Sequence, residues 1–264
     1  MVIEFPNGKS VPMEDVDTGG ALRKLEGLLC DGRKHFVLFP DSWNMYNVVR
    51  DERLRQIYSQ ASAVFPDGIS WLLLSRLQGH RLPERIPGPA FLVAACRHGL
   101  CLGWKHFFYG GAPGVGEQLT KTLTQRFPNL KVAGTFSPPF RPLTDEEEAM
   151  VKNRIEASGA QLLWVALGAP KQEYWMAQHL GAINVPVMLG VGAAFDFHSG
   201  NRPWAPRWMR ALCLEWAYRT VTGGRATFFR NIKCVSSVAR LLMIAAVLKA
   251  ARPLRSPRPD NTIF

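Results

Sequence analysis

Six short apolar stretches recur between residues 35 and 191: His35–Phe39, Ala61–Phe65, His106–Tyr109, Lys131–Gly134, Gln161–Leu167 and Val185–Val191. Their lengths, and the Gly, Pro or Asp that closes or follows them, predict strands. Asn44–Gln60, Ser70–Leu77, Pro89–His98, Glu117–Phe127 and Thr144–Ser158 carry the mixed spacing of helices, and another helix opens at Gly168–Gln172. Thr144 with Glu147 three residues on is a capping box. Ahead of this series, Val2–Phe5 and Lys9–Pro12 flank Asn7-Gly8, which predicts a hairpin closed by a type I′ turn. Asp17 or Thr18 is placed to cap a helix running to about Cys30. Regular alternation of strand and helix predicts an α/β fold, a Rossmann-like, mostly parallel sheet with helices on both faces. In such sheets a site forms at the carboxyl ends of the strands.

The pattern changes at Asn201. Trp208, Leu212 and Trp216 recur every four residues, the spacing of one helix face. Phe228 and Phe229 lie beside Arg225 and Arg230, and Leu241–Leu248 is an apolar run bounded by Arg240 and Lys249. From Asn201 onward there are twelve Lys/Arg against two acids, a net of +10, whereas the first 200 residues balance 20 bases with 19 acids. Nearly all of the +11 of the chain therefore sits in its last quarter. A step this sharp points to an anionic surface, nucleic acid or lipid. No unbroken apolar run reaches the roughly 18–20 residues of a membrane span. The aromatics and basic flanks instead fit an interfacial helix, the alternative being a C-terminal helix packed on the core. The expected organisation is a catalytic α/β domain over 1–200 and a basic, helical membrane-docking appendage over 201–264. Its last dozen residues, rich in Pro and Arg, are expected to be disordered. A near-neutral first 200 residues argues against a nucleic-acid enzyme, whose groove would also need phosphate contacts.

Met1–Ser10 is mixed and holds Pro6 and Gly8, so no secretory leader is expected there. The five cysteines, Cys30, Cys96, Cys101, Cys213 and Cys234, form no CxxC pair. They read as reduced, buried thiols of a cytosolic protein.

The candidate chemistry lies in the corners after the strands. Asp67, in Pro66-Asp67-Gly68, can serve as a general base or as a turn residue. Arg85, between Pro83 and Pro87, can bind a phosphate in bidentate fashion or form a surface ion pair. Gly110, Gly111 and Gly114 belong to a glycine loop that opens a helix, a place where backbone N–H groups hold phosphate. The same glycines also suit a tight turn, and the loop is neither GxGxxG nor a Walker motif. The absent GxGxxG argues against an NAD-dependent oxidoreductase. Gln172 stands at a helix start on a strand end. Asp196 sits among Ala194, Phe195 and Phe197, where a buried acid needs a partner. Asp15-Val16-Asp17 has the DxD spacing by which many glycosyltransferases hold Mg²⁺, but it lies far from any parallel strand end and reads as a helix cap. No metal site is expected.

Several of these corners resemble, in order, the WecG/TagA/CpsF family of bacterial glycosyltransferases, glycosyltransferase family 26. The matching stretches are Val64-Phe65-Pro66-Asp67-Gly68-Ile69, Leu82-Pro83-Glu84-Arg85-Ile86-Pro87-Gly88, Tyr109–Val115, Leu167-Gly168-Ala169-Pro170-Lys171-Gln172-Glu173 and Gly192-Ala193-Ala194-Phe195-Asp196-Phe197. Ala205–Met209 and Leu214–Arg219 continue the likeness, which covers about residues 35 to 235.

The resemblance implies inverting transfer of a sugar from a UDP-sugar to a polyprenyl-diphosphate-linked sugar. The site would be peripheral or monotopic on the cytoplasmic face of the inner membrane, with no metal or other cofactor and no nucleic acid. It implies Asp67 as the base and Arg85, Gln172 and Asp196 at the UDP-sugar site, Asp196 nearest the uracil. Charge on the departing UDP would meet the glycine-loop N–H groups and arginines, with the tail offering Arg207, Arg210, Arg219 and Arg225. Where members often carry Thr-x-Asn, this chain has Phe39-Pro40-Asp41, which places Asp41 at the sugar donor and withholds the family's threonine. The Phe-Pro-Asp-Ser-Trp-Asn-Met-Tyr segment resembles the GumM-type branch of xanthan-like exopolysaccharide clusters. That branch implies transfer of a β-1,4-glucose. The alternative is transfer of N-acetylmannosamine or its uronate, as in teichoic acid or enterobacterial antigen assembly. A non-catalytic protein binding nucleic acid or anionic lipid is the alternative of another class. Self-association as a homo-oligomer is compatible with the sequence and not specified by it.

Overall fold

A computed structural model of the chain describes residues 1–250. The disorder expected of the last dozen residues lies outside them. The chain opens with β1 (Val2–Glu4) and β2 (Ser10–Pro12), paired antiparallel. Their connection is longer than the type I′ turn expected. Gly8 donates its N–H to the Phe5 carbonyl at 3.0 Å and takes φ +76°, while Asn7 keeps a negative φ. Pro6 at the second turn position favours this, because its fixed φ starts an ordinary turn and leaves only the glycine left-handed.

Then follow α1 (Thr18–Cys30), β3 (His35–Leu38), α2 (Ser42–Val48), α3 (Glu52–Gln60), β4 (Ala63–Val64), α4 (Ile69–Leu77), α5 (Gly88–His98) and β5 (Lys105–Gly110). After these come α6 (Val115–Arg126), β6 (Lys131–Phe136), α7 (Asp145–Ala157), β7 (Leu162–Ala166), α8 (Lys171–His179), β8 (Val187–Gly190) and α9 (Ala194–Ser199). The single helix expected over 44–60 is two: Asp51 caps α3 by accepting the Leu54 N–H, and the chain turns at Arg50. Asp17 caps α1 by accepting the Gly20 N–H at 2.7 Å, so this half of the DxD has a structural task. Thr144 and Glu147 form the expected capping box.

The six strands β3–β8 form one parallel sheet in the order β4-β3-β8-β7-β5-β6. Period-two alternation sends neighbouring side chains to opposite faces. Phe36, Leu38, Phe107, Tyr109, Leu163 and Val165 face α2, α3, α4, α7 and α8. Val37, Phe108, Leu162 and Trp164 face α1, α5, α6 and α9. The α/β architecture with helices on both faces is therefore as expected. Among the cysteines, Cys96 and Cys234 are buried and Cys30 and Cys101 exposed, and all five are free thiols.

The tail is helical: α10 (Arg207–Ala211), α11 (Glu215–Thr222) and α12 (Gly224–Ala250). Trp208, Leu212 and Trp216 do not share one helix face as expected, because the chain breaks at Cys213, with φ +60°. All three are exposed, Trp208 by 60%. Helix α12 packs on α2 and α4 through Val238, Leu241, Leu242 and Ala245. It leaves Phe228, Phe229, Ile232, Met243, Ile244 and Val247 exposed. Although no unbroken apolar run is that long, Thr227–Ala250 reaches the length and mean hydropathy (1.6) of a spanning helix.

Candidate active site

The corners after β3, β4, β5, β7 and β8 meet at the carboxyl edge of the sheet. The N–H groups of Asp67 and Gly68 donate to the Pro40 carbonyl at 3.1 and 3.2 Å, which fastens the β4 corner to the β3 corner. Gly68 must be glycine there, since a Cβ would lie 2.9 Å from the Ser42 nitrogen. One Asp67 carboxylate oxygen accepts the Gly88 N–H at the start of α5, at 3.3 Å. Asp67 is enclosed yet keeps some solvent contact. Burial, then the nearby Asp41 and Glu215 carboxylates, push its carboxyl up to about 7, against the pull of Arg219 and Arg85. A carboxylate held near neutrality can accept a proton at working pH, which is how environment turns an acid into a base.

Arg85 is committed to the tail. Its guanidinium donates to the Asp67 carbonyl at 3.3 Å and to the Arg210 carbonyl at 3.0 Å, and it lies 3.7 Å from Glu215. Glu215 also accepts the Trp204 indole N–H at 2.9 Å. The chain just before α10 is held by a stack in which Arg219 faces Phe197, Phe197 stacks on Trp204 at 5.4 Å, and Arg210 lies 3.9 Å from the Trp204 ring. Arg210 and Arg219 are thus brought to the edge that holds Asp67. Arg207 and Arg225, the other two arginines offered by the tail, are exposed and form no ion pair among the described residues.

The glycine loop follows β5, with φ +120°, +75° and +84° at Gly110, Gly111 and Gly114. At Gly110 a Cβ would fall 2.5 Å from the Ala166 carbonyl oxygen, so close packing on β7 requires that glycine. Gly114 has open space and begins α6, whose free N–H groups can hold an anion. Ser137, after β6, holds the loop by donating to the Ala112 carbonyl.

After β7, Gln172 is buried and its Oε1 accepts the Gly192 N–H of the β8 corner at 3.0 Å. Asp196 in α9 is already partnered: Asn201 donates to it at 2.6 Å and Arg202 lies 3.5 Å away. A ligand N–H would compete with Asn201 for that carboxylate. Asp41 caps α2 by accepting the N–H groups of Trp43 and Asn44.

Sequence reasoning did not single out Glu215, Trp204, Asn44 or Glu173 as site residues. For Glu215 there was a signal: it is one of two acids in a stretch with twelve bases. Asn44 and Glu173 stand inside segments that carry the resemblance, but nothing in the sequence pairs them, because their contact spans 129 positions of the chain.

The sequence model of the family described as "Glycosyl transferase WecG/TagA/CpsF family" matches residues 8–252. Among curated relatives, the N-acetylglucosaminyldiphosphoundecaprenol N-acetyl-beta-D-mannosaminyltransferase of Bacillus subtilis (strain 168) is 29% identical over 176 residues, 67% of each chain. The enzyme of the same name from Bacillus spizizenii is 30% identical over 177 residues, again 67% of each. That of Staphylococcus aureus (strain MRSA252) is 31% identical over 166 residues, 63% of each.

Proposed function

The chain belongs to the WecG/TagA/CpsF family and is a glycosyltransferase; on that premise we propose that it inverts at the anomeric carbon with Asp67 as base. The carrying observation is an enclosed carboxylate, raised to about 7, at the strand-end corner that Arg85 and Arg219 also reach. Asp67 removes the proton of the acceptor hydroxyl as its oxygen bonds to the anomeric carbon. The bond to the diphosphate breaks, and UDP departs with the electron pair. Charge on UDP meets the N–H groups at Gly110–Gly114 and the start of α6, together with Arg85, Arg210 and Arg219. For Arg85 to join, Glu215 must yield it. No metal is assigned a step. Gln172 and Asp196 complete the donor side with Asp41, whose carboxylate is near Asp67.

For the sugar, the relatives favour N-acetylmannosamine passed to N-acetylglucosaminyl-diphospho-undecaprenol. They favour it over the glucose read from the 39–46 segment. Phe39-Pro40-Asp41 keeps glucose as a second reading, since Phe39 stands where the family's threonine is expected and the Asp41 carboxylate where its asparagine is. The catalytic domain is assigned to 1–200 and membrane docking to the described part of 201–264. The exposed face of α10–α12 would rest in the cytoplasmic leaflet, where basic residues meet anionic headgroups. The test pairs UDP-N-acetylmannosamine and UDP-glucose with N-acetylglucosaminyl- and glucosyl-diphospho-undecaprenol. Transfer only from UDP-N-acetylmannosamine supports the first reading and transfer only from UDP-glucose the second. No transfer from either sinks both.

A further inference from the structure

Beside the edge that holds Asp67, a series of buried polar contacts joins Asp41 to Gln172 through two residues, Asn44 and Glu173, that the proposed chemistry does not use. Asn44, in the first turn of α2, is buried. Its N–H donates to Asp41 Oδ1 at 3.0 Å, and its own Oδ1 accepts the Asp41 N–H at 3.3 Å. Its Nδ2 donates to Oε1 of buried Glu173 at 2.7 Å. That same Oε1 accepts from Gln172 Nε2 at 3.4 Å, and Gln172 Oε1 accepts the Gly192 N–H at 3.0 Å. One carboxyl oxygen therefore stands midway on a path from the corner after β3, through the start of α8, to the turn after β8. These strands are neighbours in the order β3-β8-β7.

The arrangement is costly. Glu173 Oε2 and the Tyr58 hydroxyl, which lies close to Asn44 and Glu173, are buried without a hydrogen-bond partner among the described residues. Burial raises the Glu173 carboxyl to about 7. An apolar side chain of similar volume would avoid these costs. What it could not do is orient an amide. Gln172 Nε2 donates and Oε1 accepts. An acceptor at Glu173 turns Nε2 toward itself and leaves Oε1 for Gly192. The fit is tight, since a Cβ on Gly190 would lie 3.2 Å from Gln172 Nε2.

We propose that Glu173 is the positioning residue of the donor site, fixing the Gln172 amide and the Gly192 turn relative to the Asp41 corner. It touches no reacting atom, and the inference rests on the donor site proposed above. The experiment measures transfer with the donor varied, in the wild type, Glu173→Gln, Glu173→Ala, Asn44→Ala and the double alanine variant, each checked for folding by thermal midpoint. Loss of orientation is expected to raise the donor KM about tenfold in Glu173→Ala, with kcat changed much less. Glu173→Gln should recover most of this, because its Oε1 still accepts from both amides. Asn44→Ala should raise the donor KM too, and the double variant should fall short of the combined single effects. The proposal is overturned if folded Glu173→Ala keeps the wild-type KM. It is also overturned if Glu173→Ala lowers only kcat, in step with its folded fraction, and Glu173→Gln does no better. Should Glu173→Ala not fold, a wild-type donor KM in Asn44→Ala overturns it instead. A wild type that transfers no sugar defeats the functional reading, whereas equal transfer by every variant defeats only the positioning role.

Discussion

The two ends of the parallel sheet treat a carboxylate in opposite ways. At the amino end, between α1 and β3, Asp31 is open to solvent and well supplied with donors. His35 lies 2.7 Å from it, the Arg33 N–H 2.9 Å, and the Arg33 side chain donates as well. Those hydrogen bonds, His35 first, hold its carboxyl well below the usual range. At the carboxyl end, Asp67 is enclosed and faces Asp41 and Glu215, and its carboxyl rises to about 7. The first arrangement favours the charged form and stabilises the fold. The second penalises it, which a fold tolerates where a group must change its protonation state.

The largest expected effect breaks the contrast at its costly end. Asp67→Asn removes the proposed base and should lower kcat/KM about a thousandfold, within the usual range for general base catalysis. Stability should move the other way. The folded pKa of Asp67 lies above the unfolded value near 4, so the folded state holds a proton that the unfolded state has lost. Stability therefore falls as pH rises from about 4 to 7, and the penalty is full above that. The asparagine variant escapes it, and its thermal midpoint at pH 8 should rise by about 2–4 °C. A near-wild-type rate, or a lower midpoint at pH 8, would show that Asp67 is an ordinary turn residue.

A second effect follows from the same group in the wild type. If Asp67 must be ionised to act, kcat/KM should rise with pH up to about 7 and then level, falling roughly tenfold for each unit below. A profile flat from pH 5 to 8 would contradict it.

How much of this was legible in the sequence depends on distance along the chain. The strands could be read because each apolar stretch ends in a turn residue, and the corner residues because they sit at those ends. The break between α2 and α3 was hidden, since Val49-Arg50-Asp51 contains neither Gly nor Pro and only Asp51 hints at a cap. The tail was misjudged because four-residue spacing looks the same whether or not a left-handed Cys213 interrupts it. Arg210 and Arg219 could be named among the tail arginines, but what holds them near Asp67 was beyond reach, as that depends on the stacking of Phe197 on Trp204.

A smaller effect sharpens the contrast without removing either end. Glu215→Gln keeps an acceptor for the Trp204 indole but deletes a negative charge that raises Asp67. The rising limb should move to lower pH, and kcat/KM at pH 6 should grow about threefold. An unmoved limb would mean that burial and Asp41 alone set the proton affinity of Asp67.

The smallest effect on catalysis belongs to the amino end. Asp31→Asn loses the charge that its donors favour, so it should lose stability. The sign is opposite to that of Asp67. A folded pKa below the unfolded one gives stabilisation that is present above about pH 4 and disappears as pH falls through the folded value. Asp31→Asn should therefore melt slightly below the wild type at pH 7, and the two should converge as the pH drops well below 4. Its kcat/KM should stay within about twofold of the wild type, because surface changes away from a site leave its geometry intact. Thermal melts over pH 2–8, with the transfer rate at pH 7, test both halves. A large loss of transfer with an unchanged melt would show that the amino end is coupled to the site, and the division of labour between the two ends of the sheet would fail.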